Sequence, residues 1–179
     1  MDLQHIERLL REQPDQAPIE RWHPELSGVM DMRIDPHGDW YHEGTRIERR
    51  PLVNLFASIL RREDDGEYYL VTPVEKWRIQ VEDAPLLAVD MDIGGEGDSR
   101  KIVFTLNTGR AVPLDAGHPL HVNLDDRSGE PRPYLRLERG LSARLSRALF
   151  YRLVDAAEQR DEQLQIESDG VSFSLGRCV

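Results

Sequence analysis

Cysteine is nearly absent from this sequence, in which Cys178 is the only one. A single cysteine cannot form a disulfide within the chain, which excludes a disulfide-stabilised secreted domain and indicates a reducing compartment. No apolar stretch approaches the roughly 20 residues of a membrane-spanning helix. The first residues also lack the basic segment and apolar core of a secretory signal. We therefore expect a cytoplasmic protein that does not associate with a membrane.

Lysine is also scarce, since Lys76 and Lys101 are the only lysines among 23 basic residues, against 33 acidic residues. The resulting net charge of −10 repels nucleic-acid backbones, and no stretch concentrates enough arginine to overcome that field. We predict no binding to nucleic acid. The many arginines either pair with acidic side chains or recognise carboxylate and phosphate groups on a ligand.

Motifs of catalytic and metal sites are lacking as well. The sequence has no cysteine pair, no His-Glu-x-x-His and no Gly-x-Ser-x-Gly. His118 and His121 are three apart, but Pro119 indicates extended chain, in which the two rings point to opposite faces. The run from Gly94 to Lys101 resembles a phosphate-binding loop only superficially, because a strand follows it, and it predicts a hairpin loop. We expect no metal and no cofactor.

The spacing of apolar residues predicts both helices and strands. Pro51 suits the first turn of a helix, and apolar residues follow at i, i+3, i+4, i+7 and i+8 from Leu52. A second helix is predicted from Ser142, as N-cap, to Ala156. A further amphipathic helix is predicted over residues 2–12. Strands are predicted around residues 30–34, 68–72, 77–81, 86–93, 101–106, 110–114, 120–124 and 134–137.

The second half of the chain repeats the apolar pattern of the first half at an offset of 94, the separation of Leu55 from Leu149. This is typical of two copies of one structural unit. The predicted fold is α+β, with two related hairpin-helix-hairpin units joined by a strand-rich middle segment. The predicted divisions are an N-terminal helix and linker at 1–24, the first unit at 25–85, bridging strands at 86–118 and the second unit at 119–179.

Arginines and tryptophans of the first unit form a candidate ligand site. Arg46 and Arg49 lie within one turn of the predicted helix N-terminus, where backbone N–H groups and the helix dipole also favour an anion. Trp40 and Trp77 would add flat apolar walls. These features predict a site for a small polar or anionic molecule.

The same region carries acidic residues that allow two other interpretations. Glu75, Glu82 and Asp83 could form ion pairs with the nearby arginines, which would then be structural. Alternatively, Glu75 or Asp83 could act with His118 as the acid and base of an enzyme. The sequence does not decide between these interpretations.

The sequence contains ten runs that together are typical of one family: 22–24, 38–41, 44–47, 52–60, 69–76, 81–85, 118–119, 133–134, 140–144 and 174–176. Through these runs the chain resembles a bacterial family, called domain of unknown function 1285, over about residues 20–177. The resemblance implies an α+β protein with repeated structural motifs and a role in ligand binding or signal transduction. Leu106 stands where a small polar residue is expected beside Asn107. Residues shared with the family pattern, to which the family assigns no established task, are Trp40, Arg49, Glu75, Asp83, Asn107 and His118.

From these observations we expect a cytoplasmic, non-catalytic module that binds a small polar or anionic ligand in a cleft between the two units. The alternatives are an enzyme in the same cleft and an adaptor that binds a protein partner through the N-terminal helix. A homodimer is compatible with each of them. The residues expected to contact the ligand are Trp40, Arg46, Arg49, Glu75, Trp77, Asp83, Asn107 and His118.

Overall fold

The computed structural model describes residues 18–178, which divide into two compact units. The first unit runs to Pro85 and also includes Arg139–Leu141. The second unit comprises Leu86–Glu138 and the chain from Ser142 onward. The helix predicted over residues 2–12 lies outside the described residues.

From residue 18 onward, the first unit contains one six-stranded sheet and one α-helix, α1, at Arg50–Ser58. The sheet has the order β3-β2-β1-β6-β5-β4. Its central pair, β1 and β6, is parallel and consists of the strands that come first and last along the chain. A short 3-10 helix, Ile19–Arg21, precedes β1. The strands are β1 Leu26–Ile34, β2 Trp40–His42, β3 Thr45–Arg46, β4 Leu60–Arg62, β5 Tyr68–Val71 and β6 Lys76–Val81.

Local sequence accounts for the beginning of this unit. Met30, Met32 and Ile34 of β1 are buried, whereas Asp31 between them is exposed, as the alternating pattern predicts. The Asp35 carboxylate then accepts hydrogen bonds from the backbone N–H groups of residues 37 and 39, at 2.9 and 3.0 Å. These bonds close the turn into β2.

Helix α1 begins where the proline indicates but ends earlier than the apolar spacing indicates. Pro51 lies in its first turn, where a missing N–H costs nothing. The helix ends at Ser58, because Leu60 already pairs with Leu70 as part of an antiparallel ladder. Of the two buried residues at the end of the predicted helix, Ile59 is therefore the C-cap and Leu60 belongs to a strand.

The second unit also contains a six-stranded sheet, in the order β10-β11-β12-β7-β8-β9, and again its first and last strands form the central parallel pair. The predicted loop after Gly94 joins β7 and β8 as a hairpin. The elements are β7 Leu86–Gly94, β8 Lys101–Leu106, β9 Ala111–Pro113, β10 Leu120–Leu124, β11 Pro131–Arg136, β12 Ser142–Leu145, helix α2 Arg147–Asp155, β13 Glu158–Arg160, β14 Gln163–Ser168 and β15 Val171–Arg177. The last three strands form a separate antiparallel sheet.

The start of the second helix corrects the sequence prediction. Ser142 does not cap a helix but begins β12, in which Ala143 and Leu145 are buried. The cap is Ser146, whose hydroxyl accepts a hydrogen bond from the backbone N–H of Leu149 at 3.2 Å. The two serines carry the same local signal, and strand pairing decides which one is used.

The repeat predicted between residues 29–81 and 119–175 is not confirmed. Both segments contain three strands, a helix and three strands in succession. Their hydrogen-bonded pairing differs, because β12 pairs with β7, and β10 packs against β15 while belonging to a different sheet. Instead, the six strands β7–β12 are arranged in their sheet in the same order as β1–β6 are in theirs. The strands of 86–118, predicted to bridge the units, are part of the second unit.

Each unit has its own buried core. In the first, Trp40 stacks on Phe56 with ring centroids 6.0 Å apart and an angle of 20° between the planes. In the second, Phe104 and Leu153 are fully buried. The Ser168 hydroxyl there accepts a hydrogen bond from the backbone N–H of Ile102 at 2.9 Å, which ties β14 to β8.

Candidate anion-binding site

A cavity of about 430 Å³ lies in the second unit, where β11 begins, β12 ends and α2 starts. Because β11 and β12 are antiparallel, the first residues of β11 lie beside the last residues of β12. Helix α2 follows β12 after one residue, Ser146. We call this the arginine cavity, and it is lined by Glu130, Pro131, Arg132, Pro133, Arg144, Leu145, Arg147, Phe150 and Tyr151.

The charged lining of the arginine cavity is predominantly positive. Arg132, Arg144 and Arg147 contribute three guanidinium groups, and Glu130 is the only acidic residue in the lining. Glu130 lies 2.5 Å from Arg147, and Asp125, outside the lining, lies 2.5 Å from Arg132. Within the lining, guanidinium groups therefore outnumber carboxylates.

The loop from Asp125 to Glu130 holds the Asp125 carboxylate and the Glu130 backbone in place. The Asp125 side chain accepts hydrogen bonds from the backbone N–H groups of Ser128 and Arg127, at 2.8 and 2.9 Å. These bonds lower the pKa of Asp125. The Asp125 N–H in turn donates to the Glu130 carbonyl at 2.9 Å. The loop is therefore fixed at both ends, next to the arginines.

Aromatic side chains of helix α2 complete the lining. Phe150 is buried, whereas Tyr151 is 54% exposed. Both lie in the first two turns of the helix, whose N-terminus carries the positive end of the helix dipole. The arrangement offers guanidinium groups for an anionic group and a flat surface for an apolar one.

Two family models match the chain. The first is described as "Domain of unknown function (DUF1285), N-terminal domain" and matches residues 17–84. The second is described as "Protein of unknown function (DUF1285), C-terminal domain" and matches residues 85–175. The chain belongs to the DUF1285 family. This confirms the resemblance seen in the sequence, and the two matches meet within one residue of the boundary between the units.

Two solved structures of DUF1285 family proteins are similar to this chain. The protein from Silicibacter pomeroyi DSS-3 is 39% identical, covers 98% of this chain and 95% of its own, and has a TM-score of 0.91. The protein from Shewanella baltica OS155 is 40% identical, covers 71% of this chain and 92% of its own, and has a TM-score of 0.57. No curated protein matches the chain.

In this DUF1285 protein, none of the eight residues predicted to contact a ligand lines the arginine cavity. Asn107 and His118 belong to the second unit, and the other six belong to the first. Trp40 is 2% exposed and part of the core, where it cannot provide an accessible wall. Arg46 pairs with Asp39 at 2.7 Å. Arg49 is the exposed N-cap residue of α1, and its side chain makes no capping hydrogen bond.

Glu75 and Trp77 lie close together in the first unit. The Trp77 indole N–H donates to the Glu75 carboxylate at 3.5 Å. The Trp77 ring packs on Gly28, where a Cβ atom would come within 3.2 Å of it. Asp83 is half-buried, and its negative charge adds to the effect of burial in raising the pKa of Tyr68.

Two of the ion pairs in the first unit differ from those considered in the sequence. Glu82 pairs with Arg33 at 3.0 Å, and Arg46 pairs with Asp39. In each pair the residues lie on, or next to, neighbouring strands of the sheet. Sheet register, rather than proximity to the helix N-terminus, determines these pairings.

Asn107 has a backbone role at the end of β8. Its side-chain oxygen accepts a hydrogen bond from the Leu87 N–H at 3.2 Å, and its own N–H donates to the Leu87 carbonyl at 2.8 Å. These two bonds extend the pairing of β7 with β8 beyond the bulge at Ala88. Thus the polar side chain of Asn107 satisfies a backbone group.

His118 is held between two carboxylates of the second unit. Its Nδ1 lies 3.0 Å from Asp115 and its Nε2 lies 2.8 Å from Glu138. Arg110 donates to both oxygens of Glu138, and this interaction lowers the pKa of Glu138 to about 2. Burial alone would lower the pKa of His118, but the hydrogen bonds to Glu138 and Asp115 outweigh burial and raise it.

We predict that His118 makes the stability of the second unit depend on pH. A raised pKa means that the imidazolium stabilises the folded state fully below the unfolded pKa of about 6.5, and that this contribution disappears as the pH rises through the folded pKa. The urea midpoint, followed by circular dichroism, should therefore fall above pH 6.5. His118→Gln should remove this fall and cost about 1 kcal/mol at pH 6.

The exposed His37 in the first unit offers the matched control. His37→Gln should keep the pH dependence of the parent protein. An unchanged pH dependence in His118→Gln would show that the ion pairs of His118 do not stabilise the fold.

A second cavity, of about 640 Å³, lies in the first unit beside β4, β6 and the 3-10 helix. Arg61, whose side chain is 13% exposed, donates to the carbonyls of Ile19 and Trp22 at 3.1 and 3.0 Å and to Glu63 at 2.6 Å. Lys76 also pairs with Glu63, at 3.1 Å. Burial would raise the pKa of Glu63, but these two cations outweigh burial and lower it. The arrangement is that of a structural ion-pair network.

A metal-binding cluster and a membrane-spanning helix are both absent from residues 18–178. Among them, no group of three or more His, Cys, Asp or Glu side chains is arranged to hold a metal ion. In the same range, no helix has the length and apolar character needed to cross a membrane.

The arginine cavity was not predicted from the sequence, because its three arginines lie in different elements and form no motif along the chain. Arg132 lies in a proline-flanked strand, Arg144 in a second strand and Arg147 in a helix. The resemblance included Arg144 within the run 140–144 but gave it no role. The sequence signal for the cavity is limited to the position of these arginines near strand ends, next to the N-cap of a helix.

Proposed function

We propose that this protein is a non-catalytic module that binds a small anionic molecule in the arginine cavity. The observation that supports this function best is the composition of the lining, with three guanidinium groups against one carboxylate, in a chain of net charge −10. A local excess of cations in an acidic protein concentrates anions at that place. The volume of about 430 Å³ is within the usual range for small-molecule sites.

The arrangement of the arginines supports recognition of an oxyanion. Arg132 and Arg144 come from adjacent antiparallel strands, and Arg147 comes from the first turn of α2. Cations on three elements approach a ligand from different directions, and a planar guanidinium matches two oxygens of a carboxylate or phosphate. We infer that the anionic group of the ligand lies between them.

No specific observation within the described residues favours the enzyme alternative. Both ring nitrogens of His118 lie within hydrogen-bond distance of carboxylates, and Glu75 and Asp83 are residues of the other unit. We propose that the protein acts in the cytoplasm, as its single cysteine indicates. We also propose that, in signal transduction, the protein would act as a sensor whose state depends on whether the anion is bound.

We also propose that residues 29–81 and 119–175 derive from one duplicated segment. The succession of three strands, a helix and three strands in both segments supports the duplication.

The predicted effect of an anionic ligand is a rise in melting temperature. A thermal-shift screen of small carboxylates, phosphates and nucleotides should give a positive shift for at least one class, equivalent to about 2.7 kcal/mol at a hundredfold excess over Kd. Arg144→Ala should abolish the shift, because it removes the guanidinium provided by β12. Arg46→Ala and Arg49→Ala should leave the shift intact.

Arg152 provides the matched control for the cavity arginines. It lies on the same helix as Arg147 and pairs with one carboxylate, Asp90, at 2.7 Å, but it does not line the cavity. Arg152→Ala should keep the ligand-induced shift. Loss of the shift in Arg152→Ala and its persistence in Arg144→Ala would contradict the proposed site.

A further inference from the structure

We propose that the arginine cavity selects a phosphate monoester attached to a flat ring, and that Glu130 occupies Arg147 until such a ligand displaces it. This inference rests on the proposed anion-binding function and specifies its ligand class. It assigns to Glu130 the role of an internal competitor.

The geometry of Glu130 supports the role of a displaceable anion. Its carboxylate lies 2.5 Å from the Arg147 guanidinium, and the two side chains are 59% and 67% exposed. Exposed ion pairs of this kind contribute little to stability, so their exchange for another anion costs little. The negative charge of Glu130 raises the pKa of Arg147.

Hydrogen bonds of the loop hold the backbone of Glu130 in place. Its carbonyl accepts the hydrogen bond from Asp125 that closes the loop, and its N–H donates to the Ser128 hydroxyl at 3.3 Å. Only the side chain is then free to rotate away from Arg147 by changing rotamer. Displacement therefore needs no rearrangement of the loop.

The number of cations favours a phosphate monoester over a carboxylate. A monocarboxylate that replaces Glu130 exchanges one negative charge for another and gains little at Arg147. A phosphate monoester carries a charge near −2 above its second pKa of about 6 and has three acceptor oxygens. Arg132, Arg144 and Arg147 can each meet one of these oxygens.

The apolar part of the lining favours a flat ring next to the phosphate. Tyr151 is 54% exposed at the cavity and interacts with Arg147, one of the three cations. Pro131 and Phe150 line the same cavity. An aromatic ring stacked on Tyr151 would cover this exposed surface while its phosphate reaches the guanidinium groups.

The test measures the affinity of three simple probes by isothermal titration calorimetry at pH 7.5. Phenyl phosphate, benzoate and inorganic phosphate separate the contributions of charge and ring. The parent protein should bind phenyl phosphate at least tenfold more tightly than either of the other two. Its affinity for phenyl phosphate should decrease between pH 7.5 and 5, as the phosphate loses its second charge.

The Glu130→Gln variant provides the decisive comparison. Removing one negative charge near the bound anion should raise affinity about threefold for benzoate and about tenfold for phenyl phosphate, because the repulsion scales with ligand charge. Arg147→Ala should weaken both probes, and Arg152→Ala should change neither. Circular dichroism of each variant confirms that it is folded.

The outcomes distinguish this inference from the proposed function. If the probes bind but Glu130→Gln leaves their affinities unchanged, Glu130 is no competitor, while the anion site stands. Benzoate binding as tightly as phenyl phosphate would overturn the ligand class alone. If no probe binds to the parent protein or to Glu130→Gln, both the ligand class and the anion-binding function are wrong.

Discussion

Replacing Arg61 by alanine is expected to lower the free energy of unfolding by about 3 kcal/mol. Its guanidinium is nearly buried and is shared between two backbone carbonyls and the Glu63 carboxylate. Without it, Glu63 loses one of its two cation partners and keeps Lys76, and the carbonyls of Ile19 and Trp22 lose a charged donor. Removing one member of a buried network costs more than the network contributes, because the remaining polar groups stay desolvated.

The measurement for Arg61→Ala is urea unfolding followed by tryptophan fluorescence. All three tryptophans, Trp22, Trp40 and Trp77, lie in the first unit, so the signal reports that unit. Arg46→Ala is the matched control, because Arg46 also pairs with one carboxylate but is 56% exposed, and it should shift the midpoint very little. Equal shifts for the two variants would show that the Arg61 network does not stabilise the fold.

Replacing Phe56 by alanine is expected to destabilise the first unit by about 3–5 kcal/mol. Phe56 is the buried residue of α1, is 0% exposed and stacks on Trp40. Its truncation leaves a cavity beside the tryptophan ring, and the lost contacts cannot be replaced by small shifts of a densely packed core. The emission of Trp40 should move to longer wavelength as water reaches the ring.

Val29→Ala is the control for the core prediction. Val29 lies in the same unit but is 72% exposed, so its truncation should change the free energy of unfolding by less than about 0.5 kcal/mol. A small effect of Phe56→Ala, comparable to that of Val29→Ala, would contradict the assignment of α1 to the core. The structural and functional predictions are independent, because the arginine cavity belongs to the other unit.

Elements with strong local signals were predicted well. The strand over 30–34 follows from strict alternation, and the start of α1 follows from Pro51. The strands predicted at 101–106 and 110–114 are joined by a tight turn, in which the Gly109 N–H donates to the Leu106 carbonyl at 2.8 Å. In each case the deciding interaction is between residues close in sequence, so the pattern contains it.

Elements whose signals are short or shared by two structures were not predicted correctly. The strands at 45–46, 60–62 and 158–160 are too short for a periodic pattern. Ser142 and Ser146 are both acceptable N-caps, and only the pairing of β12 with β7 places the first of them in a strand. The position of the helix depends on a contact more than fifty residues distant, which local propensity does not contain.

The candidate site shows the same division between local and distant information. In the sequence, two arginines next to a predicted helix N-terminus lead to an anion as ligand. The sequence prediction placed that ligand near Arg46 and Arg49, in a cleft between the two units, because a helix N-terminus is visible in a sequence. The cavity on which the proposal rests instead depends on the antiparallel pairing that brings Arg132 beside Arg144.

By itself, the amino-acid sequence determined the α+β class, the family resemblance and the position of the elements with strong local periodicity. Only the tertiary structure decided which strands form the central parallel pairs, β1 with β6 and β7 with β12. It also decided which arginines meet in a cavity and that Arg61 binds carbonyls 39 and 42 residues distant. The physical reason is that strand pairing depends on the burial of both faces against distant segments, and a local pattern of apolar residues fits many partners equally well.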